Sequence, residues 1–162
     1  MTSSCVVVFR CLRCEYFHDT DTLGIALTPI STGLINNSDE VVPGLLVDYT
    51  ANNQLVAVDV MMASSRTGRD IARQKARSVA AFLTSLHAQY DAAEDRLSIS
   101  FVQKPSNCSQ SVTDDDRILI CKDAHGRWEG IRTCEPSKSI AGNVAANGKH
   151  QGKQMPSVQS HL

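Results

Sequence analysis

The chain has 162 residues, 42% hydrophobic and 20% charged, enough to build a core as one domain or two small ones. Sixteen Lys and Arg stand against 17 Asp and Glu, a formal charge of −1. That balance excludes a strongly basic nucleic-acid coat and a strongly acidic solvating chain.

Met1 to Cys5 are polar, and the apolar run Val6-Val7-Val8-Phe9 stops at Arg10. A secretory signal needs a basic start and about 7–15 apolar residues, and a bilayer span needs roughly 20. The expectation is a soluble, cytoplasmic protein without membrane association. Six cysteines (Cys5, Cys11, Cys14, Cys108, Cys121 and Cys134) could form three disulfides, but in a reducing compartment they are expected as free thiols.

The chain is organised by an internal repeat. Tyr16, Asp21, Leu23, Ile25 and Leu27 recur 74 residues later as Tyr90, Asp95, Leu97, Ile99 and Phe101. The segment from Leu45 to Val58 matches Ile118 to Ile131 at an offset of 73, and Ser64 and Ser137 close the two copies at that same offset. Leu23-x-Ile25-x-Leu27 and Leu97-x-Ile99-x-Phe101 have the period of two that puts one apolar row on one sheet face. Asp19-Thr20-Asp21 and Ala93-Glu94-Asp95 suit hairpin turns. Asn52-Asn53 and His125-Gly126 suit turns that demand positive φ. Each copy therefore reads as about four short antiparallel strands with a looser loop inside it, Pro29 to Pro43 in the first and Gln103 to Asp115 in the second.

Between the copies, Ala72, Ala76, Val79, Ala80, Leu83 and Leu86 recur at spacings of three and four, which predicts one amphipathic helix of about 20 residues over Thr67–His87. Thr67 is its expected N-cap, with Asp70 three residues on. Arg66, Arg69, Arg73 and Arg77 form a second stripe beside the apolar one. After Lys138 the chain is rich in Ser, Ala, Gly, Asn and Gln and is expected to be a disordered tail. Charge divides along the same lines: +2 in the tail and +4 over Ser65–Ser78, leaving −7 for the two repeats.

The pattern Tyr16-x4-Asp21-x-Leu23-x-Ile25-x-Leu27, followed by Val42-Pro43-Gly44 to Tyr49 and by Leu55 to Ser64, resembles the domain of unknown function 2283. In that family the closing segment usually reads Gly-(Ile or Val)-Glu-Ile-Leu-x-Ala-Ser. Here Ala57 replaces the Gly and Asp59 the Glu. The second copy is degenerate: it keeps Gly130, but Arg132 stands at the acidic position and Pro136 replaces the Ala before Ser137. The resemblance implies a small β-rich fold and an antitoxin-like partner role, with no activity carried over to particular residues.

Several residues invite a chemical reading. Cys11-x-x-Cys14 has half of a zinc-site spacing, with His18 as a third candidate, but in a continuous strand from Val6 to Phe17 the two thiols point to opposite faces. Asp114-Asp115-Asp116 lacks the alternation and distal closer of a calcium loop and reads as a solvated acidic turn. Asp48 and Asp59, flanking the Asn52-Asn53 hairpin, would face each other across the ladder, with Arg69 or Arg73 as an ionic partner. Nucleophile and phosphate-loop motifs are missing from the sequence.

The sequence therefore predicts an α+β protein. A first β repeat (1–64) and a degenerate second one (89–138) are joined by a linking helix (65–88) and followed by a disordered tail (139–162). The tandem antiparallel β-meander units share a core as a pseudo-dimeric monomer, or the chain forms a homo-oligomer. The function expected is a non-enzymatic protein-interaction module whose partner surface is Arg66, Arg69, Arg73 and Arg77 or an exposed strand edge, with no metal and no cofactor. The alternatives are a nucleic-acid-associated regulator using the same arginines, and a metal-dependent enzyme.

Overall fold

The computed structural model describes residues 6–9, 13–103 and 108–141. Its elements, in chain order, are β1 (Val6–Phe9), β2 (Arg13–Phe17), β3 (Thr22–Ala26), β4 (Asn37–Val42), β5 (Leu45–Tyr49), β6 (Leu55–Val60), α1 (Ala63–Thr67), α2 (Ala76–Ser85), β7 (His87–Asp91), β8 (Arg96–Ser100), β9 (Ser109–Val112), β10 (Ile118–Lys122), β11 (Trp128–Cys134) and α3 (Pro136–Ser139). They form two antiparallel sheets. One runs β2-β3-β6-β5-β4, and the other runs β1-β7-β8-β11-β10-β9. Without β1, the strand order of the second sheet is that of the first, shifted by one repeat.

The likeness extends to backbone detail. Asp21 and Asp95, at the β2–β3 and β7–β8 turns, both have φ of 49°. Asn53 and Gly126, in the next hairpins, have φ of 61° and 79°. The β5–β6 ladder is bulged between Asp48 and Tyr49, and the β10–β11 ladder between Cys121 and Lys122, its repeat equivalents. Non-glycine residues enter left-handed backbone only where surrounding bonds hold them there, and Asp and Asn do so at least cost.

At Asp21 and Asp95 those bonds form a matching pair of locks. The Tyr16 hydroxyl donates to the Asp21 carboxylate, and Ser64 donates to it through both its hydroxyl (2.9 Å) and its backbone N–H (3.1 Å). In the second repeat, Tyr90 donates to Asp95 at 2.8 Å, and Ser137 donates through its hydroxyl and through its N–H at 3.3 Å. Each lock ties the first hairpin of a repeat to the short helix that ends it. Burial and then the Asp21 carboxylate push the Tyr16 hydroxyl up to about 12, so it stays a donor across the physiological range.

The apolar rows read from the sequence face inward. Leu23 and Ile25 are buried, as are Val47, Val58 and Val60, and they form one cluster with Leu97, Ile99, Phe101, Ile120 and Ile131 of the other sheet. The repeats therefore share a core. Their ends are also tied together. Asp114 N–H donates to the Val41 carbonyl at 2.9 Å, and Ala141 N–H donates to the Leu55 carbonyl at 2.8 Å, next to a parallel bridge between Leu55 and Ile140.

The structure departs from the sequence reading in four places. The single helix expected over Thr67–His87 is two. Gly68, at φ 71°, ends α1, and the Thr67 hydroxyl donates back to the Ala63 carbonyl at 2.7 Å, so Thr67 closes a helix and does not open one. Ser64 then captures the N–H groups of Ile71 and Ala72 at 3.1 and 3.0 Å, holding the segment beyond α1 irregular until α2. On α2 Val79 and Phe82 are buried and Leu83 half-buried, with buried Leu86 just past its end, while Ala76 and Ala80 on it and Ala72 before it face solvent.

Each repeat has five strands and not four, because the expected loops contain β4 and β9, polar edge strands with little apolar alternation. Val6–Phe17 is not one strand: β1 crosses to pair with β7, placing residues assigned to the first repeat in the second sheet. Finally, Ser139, Ile140 and Ala141, assigned to the tail, are buried, the last two against Leu55 and Val56 of the first repeat; the remainder of the expected disordered tail lies outside the described residues. No helix among the described residues is long and apolar enough to cross a membrane.

Removing either lock should cost similar stability. Asp21→Ala and Asp95→Ala should each lower the free energy of unfolding by about 2–3 kcal/mol in urea titrations, since each strands a tyrosine and a serine donor. Asp21→Asn, which keeps an acceptor and tolerates the backbone, should cost about half as much.

Candidate functional site

The segments that join the two repeats surround a cleft. β4 is an edge strand, and it supplies Asp39, Glu40 and Val41 to one wall. The end of β5 supplies Tyr49, the β5–β6 turn supplies Asn53, and the turn before β10 supplies Asp114, Asp115, Asp116 and Arg117. The space enclosed is about 500 Å3.

One ion pair forms its floor. Arg117 donates to Asp115 through Nε at 2.9 Å and through its NH2 nitrogen at 2.7 Å, a fork-on-carboxylate geometry. Its NH1 nitrogen reaches the Asn53 carbonyl at 2.8 Å, and the Tyr49 hydroxyl donates to Asp115 at 2.8 Å. Burial opposes the charge on Asp115, but these donors prevail and hold its carboxyl below the usual range. The Asp115 carboxylate in turn raises Arg117, while burial, followed by the Asp115 carboxylate, raises the Tyr49 hydroxyl. Asp115 and Arg117 therefore neutralise each other and pin one repeat to the other. Asp39, Glu40, Asp114 and Asp116 are exposed around them, leaving the rim acidic. The Asp114–Asp116 run, read from the sequence as a solvated acidic turn, is solvated only at its two ends.

The four arginines expected to share a helical face do not. Arg66, on α1, lies over the Trp128 ring of the second repeat at 5.3 Å, its Nε buried without a hydrogen-bond partner. Its space exists because Gly44, at φ 93°, has no side chain; a Cβ there would stand 2.7 Å from that nitrogen. Arg69, in the irregular segment, lies over Phe82 at 5.4 Å. Arg73 is exposed and approaches Asp70 at 3.9 Å, and Arg77 is exposed on α2. Gly68 and the Ser64 bonds break the helix that the stripe required.

Asp48 and Asp59 are neighbours but not opposite each other. In the β5–β6 register Asp48 faces Ala57 and Asp59 faces Leu46. Neither Arg69 nor Arg73 answers them: the first is over Phe82 and the second with Asp70, whereas Asp48 accepts the Ser38 hydroxyl. Asp59 sits opposite Gly24 on the outer face, its carboxyl oxygen and the Phe17 ring both crowding the space a Gly24 Cβ would take. Burial, followed by the charge of Asp48, pushes Asp59 up to about 6.

Cys14 is half-buried against the core, while Cys11 lies outside the described residues, so the Cys-x-x-Cys spacing is represented by one thiol. Burial, with the Cys108 thiol alongside, pushes Cys121 up to about 11. Among the described residues no group of three or more His, Cys, Asp or Glu is placed to hold a metal ion. The cleft between the repeats escaped sequence reasoning because its walls come from residues 39–53 and 114–117, which only the packing of one repeat on the other brings together.

A family model described as protein of unknown function (DUF2283) matches residues 13–64, from the start of β2 to the serine of the first lock. No curated protein and no solved structure matches the chain.

The elevated Asp59 carboxyl has a signed consequence. Between about pH 4 and 6 the folded state holds a proton that the unfolded state has released, so this residue's contribution to stability falls as pH rises through that window. Asp59→Asn should flatten the decline and, after allowance for partial exposure, stabilise the protein by about 1 kcal/mol at neutral pH, read from urea midpoints at a series of pH values.

Proposed function

We propose that this chain is a non-enzymatic protein-interaction module in which a degenerate second copy of the family domain completes the first, so that one chain takes the place of a dimer. What supports the second copy's kinship is the repeated strand order, the repeated bulge and the repeated Tyr–Asp–Ser lock. The shared core supports the pseudo-dimer.

The observation that carries the binding surface is the acidic cleft. Four exposed carboxylates ring a site of about 500 Å3, and the one cation among its described lining residues, Arg117, is already bound to Asp115. β4 runs along that cleft as an edge strand, and a sheet edge offers backbone donors and acceptors to an incoming strand. The partner segment is therefore extended and basic, its Lys or Arg side chains meeting Asp39, Asp114 and Asp116. An antitoxin-like role rests on the family resemblance. A cytoplasmic setting fits the described cysteines, Cys14, Cys108, Cys121 and Cys134, which are all free thiols.

A fluorescent peptide alternating Lys and Val should bind the full chain with an affinity that falls as salt rises. The triple variant Asp39→Lys, Asp114→Lys, Asp116→Lys should weaken it by at least about tenfold, whereas Asp19→Lys, away from the cleft, should stay within about twofold. Equal binding by the triple variant and the parent chain would reject the cleft as the partner surface.

A further inference from the structure

A second cavity, of about 340 Å3, lies on the other side of the linking segment, between the irregular stretch after α1, the exposed flank of α2 and the chain leaving β8. Its lining includes Arg69, Gln74, Ser78, Phe82 and Gln103, and no carboxylate among the described residues lines it. The surrounding segment Ser65–Ser78 carries +4, and its single acid, Asp70, is drawn to Arg73.

Arg69 is set for use in this cavity. The central carbon of its exposed guanidinium lies over the buried Phe82 ring, 5.4 Å from the centroid, with no ion pair to a carboxylate among the described residues. A guanidinium held over a ring without a carboxylate partner keeps N–H donors available to an incoming anion. Its backbone is held as well: Arg69 N–H donates to the Thr67 hydroxyl at 3.3 Å, and its carbonyl accepts from Ile71, a fully buried residue, at 2.8 Å. The held backbone and the ring contact restrict where the exposed cation can go before any ligand arrives, which reduces the ordering cost of binding.

From this geometry we infer that the cavity is an anion-binding site for a small molecule bearing a phosphate or carboxylate group. Arg69 supplies the fork, Gln74, Ser78 and Gln103 supply neutral hydrogen-bond donors, and the Phe82 ring forms the apolar wall. The volume suits a ligand at the small end of the usual range. The absence of carboxylates from the described lining and the local positive charge set the sign of the ligand. This site is separate from the acidic cleft, and neither depends on the other.

The test is calorimetric titration of the full chain, at constant ionic strength, with inorganic phosphate and separately with benzoate. At least one should saturate a single site at or below about 10 mM. Phosphate alone would point to a phosphorylated ligand, and benzoate to a carboxylate whose body rests on Phe82. Arg69→Gln should weaken the bound anion by about tenfold or more, and Arg69→Lys should recover only part of that, because the fork is lost. Arg77→Gln, which removes an exposed charge outside the cavity, should change it by less than about twofold. Circular dichroism confirms that the variants are folded. Absence of saturable binding for both anions would overturn the inference, as would equal losses in Arg69→Gln and Arg77→Gln.

Discussion

A carboxylate in a left-handed turn, receiving a tyrosine and a serine from opposite ends of its repeat, is the constraint on which the rest of this molecule depends. Asp21 and Asp95 have the same φ and the same three donors, though the sequence around them has diverged. Tyr16 lies five residues before its aspartate and Ser64 lies 43 after it, so one side chain fixes the hairpin and also where the sheet must end. In the first repeat Ser64 does more, taking the N–H groups of Ile71 and Ala72 and so directing the linking segment that places Arg69. The pocket beside Arg69 therefore rests on the helix end that Ser64 holds.

Much of the sheet structure was legible because it is encoded locally. The alternation of Leu23, Ile25 and Leu27 is a two-residue period that any burial on one face requires, and the turn residues Asn53 and Gly126 occupy the positive φ their types favour. The repeat itself appeared as spacing, and the residues that carried it (Tyr16, Asp21, Ser64 and their counterparts) proved to be those that bond to one another. Residues that merely resemble a pattern fared less well. Ala72, Ala76 and Ala80 have helical spacing, but small side chains gain little from burial, and the larger Phe82 set the orientation of α2. Polar edge strands such as Asn37–Val42 bury almost nothing and so leave no periodic trace.

The candidate sites were harder to foresee, for a physical reason. Charge runs announce themselves in a sequence, but their partners do not. Asp115 sits in a run of three aspartates, yet it is Tyr49, 66 residues earlier, and the Asn53 carbonyl reached by Arg117 that convert it from a surface charge into a clasp between repeats. Arg66, one of four similar arginines in sequence, is set apart by Gly44 and Trp128, both distant along the chain. The two repeats have also exchanged sign at one position on their outer faces, where Asp59 of the first corresponds to Arg132 of the second. The two repeats share a framework while their surfaces differ.

The parallel bridge between Leu55 and Ile140 bears on how the protein is made. Leu55 and Val56 open the last strand of the first repeat, yet they are completed by Ile140 and Ala141, which leave the ribosome about 85 residues later. Likewise β1, which precedes the first repeat's own strands in the chain, has its hydrogen-bonding partner in β7. The second sheet therefore needs a strand from ahead of the first repeat, whereas all five strands of the first sheet come from its own stretch, residues 13–60. The first repeat can pair its strands alone, but its share of the common core and the Leu55–Ile140 bridge close only once the second is present, which couples the folding of the two halves.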